Sequence, residues 1–75
     1  MSPEQAANLL RDDYFKAELD KLRQQEIDTI VNSRLDDIDK RENAYRMIKC
    51  IDEIVTHFQS IVDSAELKRK RRKFF

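Results

Sequence analysis

From Ala44 to Ala65, apolar side chains recur four and three residues apart without a break: Ala44, Ile48, Ile51, Val55, Phe58, Val62 and Ala65. This spacing follows the pitch of an α-helix and keeps one seam on one side of it for about six turns. A strand would need alternation every second residue, which this stretch lacks. Met47, Ile54 and Ile61 recur every seven residues along one edge of the seam, so the apolar stripe is wider than a two-stranded contact requires. On the opposite side, Lys49, Glu53, Thr56, Ser60 and Asp63 read as a solvated face.

The rest of the chain agrees with a helical fold. There is no Gly and a single Pro, Pro3, in 75 residues, so the tight turns that join strands have little to form from. Ser2-Pro3-Glu4-Gln5 is a helix start: Ser2 caps, Pro3 suits the first turn, and Gln5 stands three residues after the cap. Leu9 and Leu10 belong to this first helix. Asp12 can cap a new helix, which leaves open whether the chain bends there or restarts. The apolar positions that follow are Phe15, Leu19 and Leu22, then Ile27, Ile30 and Val31, with the last three drifting around the helix. Asn32-Ser33-Arg34-Leu35-Asp36 carries the side chains that compete with helix for the local backbone, and it marks the turn. Asp36 or Asp37 then caps the next helix, Asp39 and Glu42 suit its positive start, and Leu35 and Ile38 are expected to pack across the corner.

The expected fold is therefore all-α. One helix covers about residues 3–31, with room for a short extra N-terminal helix, and a turn covers about 32–36. A second helix covers about 37–67, packed antiparallel on the first as a helical hairpin. A hairpin this small offers each helix one neighbour, and domains of this size seldom hold together without a staple, a metal or an oligomer. The extra apolar edge points to the oligomer. The residues expected to form the core and the oligomer interface are Met47, Ile48, Ile51, Ile54, Val55, Phe58, Ile61 and Val62.

The net charge is zero, yet it is unevenly spread. Residues 1–67 hold all 15 acidic side chains and nine of the 15 basic ones, a net of −6. Lys68, Arg69, Lys70, Arg71, Arg72 and Lys73 carry the other six, followed by Phe74 and Phe75. Residues 68–75 are read as a basic C-terminal tail and as the partner-binding segment. Such a run can neutralise nucleic-acid phosphates, dock in an acidic groove of a protein with the two phenylalanines as anchors, or touch an anionic membrane. Phosphate binding has no need of paired phenylalanines, which favours a protein partner; a membrane is the least favoured. The opposing reading is a solubilising tail folded back on the acidic body.

Little in the sequence points to catalysis. His57 is the only histidine and Cys50 the only cysteine, seven residues apart. Helix geometry separates them by roughly 10 Å along the axis, too far for a thiol–imidazole pair. A zinc site needs about four ligands. Asp36, Asp37, Asp39 and Glu42 lack the Gly and the ligand alternation of a calcium loop. No enzyme activity, metal or cofactor is expected. Phe15 and Phe58 are assigned to the core, and Tyr14 to an interface edge. With one cysteine there is no intrachain disulfide, no signal peptide is read after Met1, and no apolar run reaches the roughly 18 residues of a membrane span.

Leu9-Leu10, Asp12 and Phe15, then Leu19 to Leu22 and Glu26-Ile27-Asp28, resemble the first half of a diverse group of short helical proteins of tailed bacteriophages. Arg41-Glu42 and Tyr45, followed by Ile48, Ile51 and Ile54, resemble the second half. The resemblance covers roughly residues 5–65 and leaves out the basic tail. Such proteins are encoded among head and DNA-packaging genes. The resemblance implies an accessory role in virion assembly, in the host cytoplasm or the virion, with a larger head, portal or packaging protein as partner. Two other readings stand beside it: a nucleic-acid binder using the tail, and an inhibitor of a host enzyme or defence protein.

Overall fold

The computed structural model describes residues 1–73. It comprises three helices: α1 (Pro3–Arg11), α2 (Asp13–Val31) and α3 (Ile38–Lys73), with no strand among the described residues. The fold is all-α.

Each helix end has a chemical cause. The Ser2 hydroxyl accepts from the Gln5 backbone N–H at 3.1 Å, and the Gln5 side chain accepts from the Ser2 N–H at 2.9 Å. That reciprocal box, with Pro3 in the first turn, starts α1. Asp12 resolves the open question about the first helix in favour of a restart. It leaves helical geometry, with φ −72° and ψ 113°, and its N–H donates to the Leu9 carbonyl at 3.2 Å. Its carboxylate then accepts from the Phe15 N–H at 2.9 Å, starting α2.

The connection between α2 and α3 spans residues 32–37, one longer than the expected turn. It is held by side chains. The Ser33 hydroxyl donates to the Ile30 carbonyl at 2.7 Å, closing α2. Asp37 accepts from the Arg34 N–H at 3.0 Å. Arg41, from the first turns of α3, reaches back with its guanidinium to the Ser33 hydroxyl at 3.2 Å, to the Leu35 carbonyl at 3.0 Å and to the Arg34 carbonyl. These bonds satisfy the backbone of the corner without any apolar packing. Leu35 and Ile38 do not pack across it; they are 96% and 66% exposed.

Both shorter helices lie along α3. Phe15 of α2 meets Phe58 of α3 with ring centroids 6.1 Å apart, and Arg23 binds Asp52 at 3.1 Å. Moving up α2 from Phe15 to Arg23 moves down α3 from Phe58 to Asp52, so the two run antiparallel. Nearer the chain start, Pro3, Ala7 and Arg11 of α1 share a cleft with Val62, Ala65 and Arg69 of α3.

The ridge expected from the sequence faces this contact. Ala44 and Ile51 are buried, and Ile48, Phe58, Val62 and Ala65 are half-buried, while Val55 is more exposed than its place in the ridge implies. The core is thin. Among the described residues only Ala6, Ala44 and Ile51 are buried, and none of the large side chains is fully enclosed. The molecule measures 60 × 23 × 16 Å, with a radius of gyration of 17.1 Å. A globule of this chain length would have about 11 Å, so the shape is a rod set by α3.

α3 does not stop near residue 67. With no Gly or Pro after the ridge, the helix runs on through Lys73, and the basic segment up to that residue has helical backbone. Phe74 and Phe75, the anchors expected at the end of the tail, lie outside the described residues.

Candidate interaction surfaces

Three surfaces of the rod hold the side chains singled out by the sequence, and all three are set by α3. The first is the flank of α3 beside the core ridge. A helix turns about 100° per residue, so Met47, Ile54 and Ile61 fall on one line, rotated away from the Ala44–Ile51–Phe58 line that meets α2. Met47 and Ile54 remain 50% and 42% exposed, and Ile61 is half-buried. Cys50, Glu53, Ile54, His57 and Phe58 line an open depression of about 550 Å³ on this flank. Cys50 and His57 are both exposed. The interface residues named from sequence thus divide: Ile48, Ile51, Phe58 and Val62 face the shorter helices, while Met47 and Ile54 lie uncovered on the flank and Ile61 continues it half-buried beside Met1 and Pro3, with Val55 partly exposed between.

The second surface is the C-terminal end of α3. Lys68, Arg69 and Lys70 are exposed on helical backbone that continues through Arg71, Arg72 and Lys73. Two ion pairs occur among the described residues, Arg23 with Asp52 at 3.1 Å and Lys16 with Asp13 at 3.6 Å. Neither draws on the basic run. Cations at this position also complement the negative end of the helix dipole.

Sequence reasoning missed the third surface, the apex around residues 31–39. Val31 and Leu35 stand out beside Ile38, and Asp36 and Asp39 are exposed next to them. The Arg41 guanidinium bonds to the backbone of this corner while leaving its apolar tips bare. The available signal was Arg41, which follows the acidic turn at a distance from which a guanidinium folds back onto the turn carbonyls.

Among the described residues there is no group of three or more His, Cys, Asp or Glu side chains placed to hold a metal ion. Among them, too, no helix is long and apolar enough to cross a membrane. Tyr14, expected at an interface edge, is exposed on α2, and Tyr45 is covered only by the Lys49 ammonium, 5.4 Å from its ring centre. Comparison with protein-family models, curated proteins and solved structures finds no match for this chain.

Proposed function

We propose that the chain is a non-catalytic assembly protein: an antiparallel helical hairpin that self-associates into a helical bundle and engages a larger partner through the cationic end of α3. The observation that carries this reading is the mismatch between core and surface. A rod with three buried side chains among its described residues leaves Met47, Ile54 and Val55 in water on the helix that organises the fold. Small domains make up such a shortfall by oligomerising. The resemblance over residues 5–65 supplies the setting, a bacteriophage accessory protein acting in the host cytoplasm or the virion. The larger partner is then a head, portal or packaging protein.

A second reading is nucleic-acid binding through the same end. It is favoured by the helical backbone of residues 68–73, which concentrates six cationic residues in under two turns. Phosphate neutralisation at that density loses affinity steeply as salt rises.

Sedimentation of the full chain at micromolar concentration tests self-association, with an oligomer expected and a stable monomer refuting it. Removal of residues 68–75 is expected to leave the helices formed and abolish capture of purified head or portal components. Undiminished capture by the truncated chain removes the cationic end from the proposal. Salt-titrated binding to duplex and single-stranded DNA separates the second reading, which fails if nothing binds at low salt.

A further inference from the structure

The uncovered flank of α3 mirrors itself about Ile54. Met47 and Ile61 each stand seven residues from Ile54, on the same line. Cys50 stands four before it and His57 three after. Farther out, Asp39 lies fifteen before and Lys68 fourteen after, both exposed and both turned by the helix toward this flank. The helix itself, Ile38–Lys73, is nearly centred on the same point.

We propose that this flank is the contact surface for a second copy of the chain, laid antiparallel across a two-fold axis at Ile54. The inference rests on the self-association reading and gives it a register. In an isologous contact, each residue meets its mirror position on the other copy. Ile54 then meets Ile54 and Met47 meets Ile61, while Cys50 lies beside His57, one position off its own mirror at Phe58. The two depressions beside Ile54 lie face to face at the axis. The ends decide between orientations. In the antiparallel pairing residues 68–73 of each copy lie beside residues 35–40 of the partner, where Asp36, Asp37 and Asp39 outnumber Lys40 for a net of −2, with Arg34 and Arg41 at the borders. A parallel pairing would set the two basic runs side by side, and like-charge juxtaposition opposes association. Unequal charge along the chain, −6 in residues 1–67 and +6 in 68–73, becomes complementary only when the copies run opposite ways. The larger partner must then displace the partner copy's apex to reach the cationic end.

Cross-linking reads the register directly. In a Cys50→Ala background, Met47→Cys chains are mixed with Ile61→Cys chains under oxidising conditions. A disulfide needs Cα atoms within about 7 Å. The expected product is the mixed 47–61 dimer, in large excess over 47–47 and 61–61. Same-position dimers in excess overturn the antiparallel register and leave self-association standing. A chain that sediments as a dimer yet gives none of these links has its interface elsewhere, and the proposal falls. A monomer at every concentration removes the self-association reading as well.

A charge exchange tests the ends without relying on the apolar face. Chains carrying Asp36→Lys with Asp39→Lys, or Lys68→Glu, Arg69→Glu, Lys70→Glu and Arg71→Glu together, which leaves four acidic side chains against Arg72 and Lys73 and turns the run from +6 to −2, are each expected to dimerise at least about tenfold more weakly than the parent. Mixed one to one, they should regain parental affinity, because both ends of the heterodimer again pair opposite charges. Circular dichroism confirms that each variant is helical. Weakening without rescue, or no weakening at all, refutes the contact between basic run and apex.

Discussion

Asp12 ends α1 with its backbone N–H and starts α2 with its carboxylate. One residue therefore sets the break that places two helices, in place of one, along α3. Replacing Asp12 with Ala removes the cap of α2 and is expected to cost about 1 kcal/mol, read as a lower urea midpoint at unchanged slope. Asn at the same position can still accept the Phe15 N–H and should recover most of it. Arg41 has a comparable role at the other connection. Its planar fork reaches three acceptors, which the point charge of a lysine cannot match in geometry. Arg41→Lys is expected to destabilise the chain by about 1 kcal/mol, and Arg41→Met by about 2 kcal/mol, because the Arg34 and Leu35 carbonyls lose a charged donor. Leu35→Ser, by contrast, should change stability by less than about 0.5 kcal/mol, since the side chain is almost wholly in solvent. Capping was legible in the sequence because its chemistry is local: Ser2 with Gln5, and Asp12 with Phe15, act over three residues. The clamp was less legible: the spacing of Arg41 from the turn allows its guanidinium to fold back but does not require it, and the apolar letters at Leu35 and Ile38 pointed to packing instead.

At the scale of helices, the four-and-three spacing over residues 44–65 was enough to place α3 and its inner face. Val55 departs from the pattern: it is 40% exposed although Ile48 and Val62, seven residues to either side, are half-buried. The extent of α3 was misjudged. A run of Lys and Arg looks like a solvated tail by charge, yet both are good helix formers, and residues 66–73 contain no Gly or Pro to stop the helix. The two sides of α3 should respond differently to truncation. Ile51→Ala removes one of the few buried groups and is expected to cost about 2–3 kcal/mol, lowering the denaturation midpoint at every protein concentration. Ile54→Ala lies on the uncovered flank, and its main effect should be on association: a midpoint close to the parent in dilute solution, and a gap that widens as concentration rises. Equal, concentration-independent losses at the two positions would place Ile54 in the intrachain core.

The whole molecule is a rod 60 Å long whose cross-section is too narrow to enclose a large side chain. Its tertiary contacts comprise one aromatic pair, the Arg23–Asp52 pair and a thin line of aliphatic groups. The ion pair is half-exposed on both sides and contributes about 0.2–1 kcal/mol. Stability on this basis has to come largely from what covers α3, and coverage by another copy makes stability depend on mass action. A hundredfold rise in protein concentration favours the associated state by about 2.7 kcal/mol. Shared between the two chains of a dimer, that corresponds to a rise in Tm of roughly 5 °C or more for a domain of this size. A series from about 1 to 100 micromolar at low salt, followed by circular dichroism, should show that rise. The same series at 1 M salt should start lower, since the Debye length there is about 3 Å and the attraction between basic run and apex is screened. Salt also strengthens apolar burial, so a rod held by its greasy flank alone would be unmoved or stabilised; loss of Tm with added salt is the signature of charge-paired ends. A Tm independent of both concentration and salt would mean that α1 and α2 are cover enough for α3 and that the exposed flank serves no second copy.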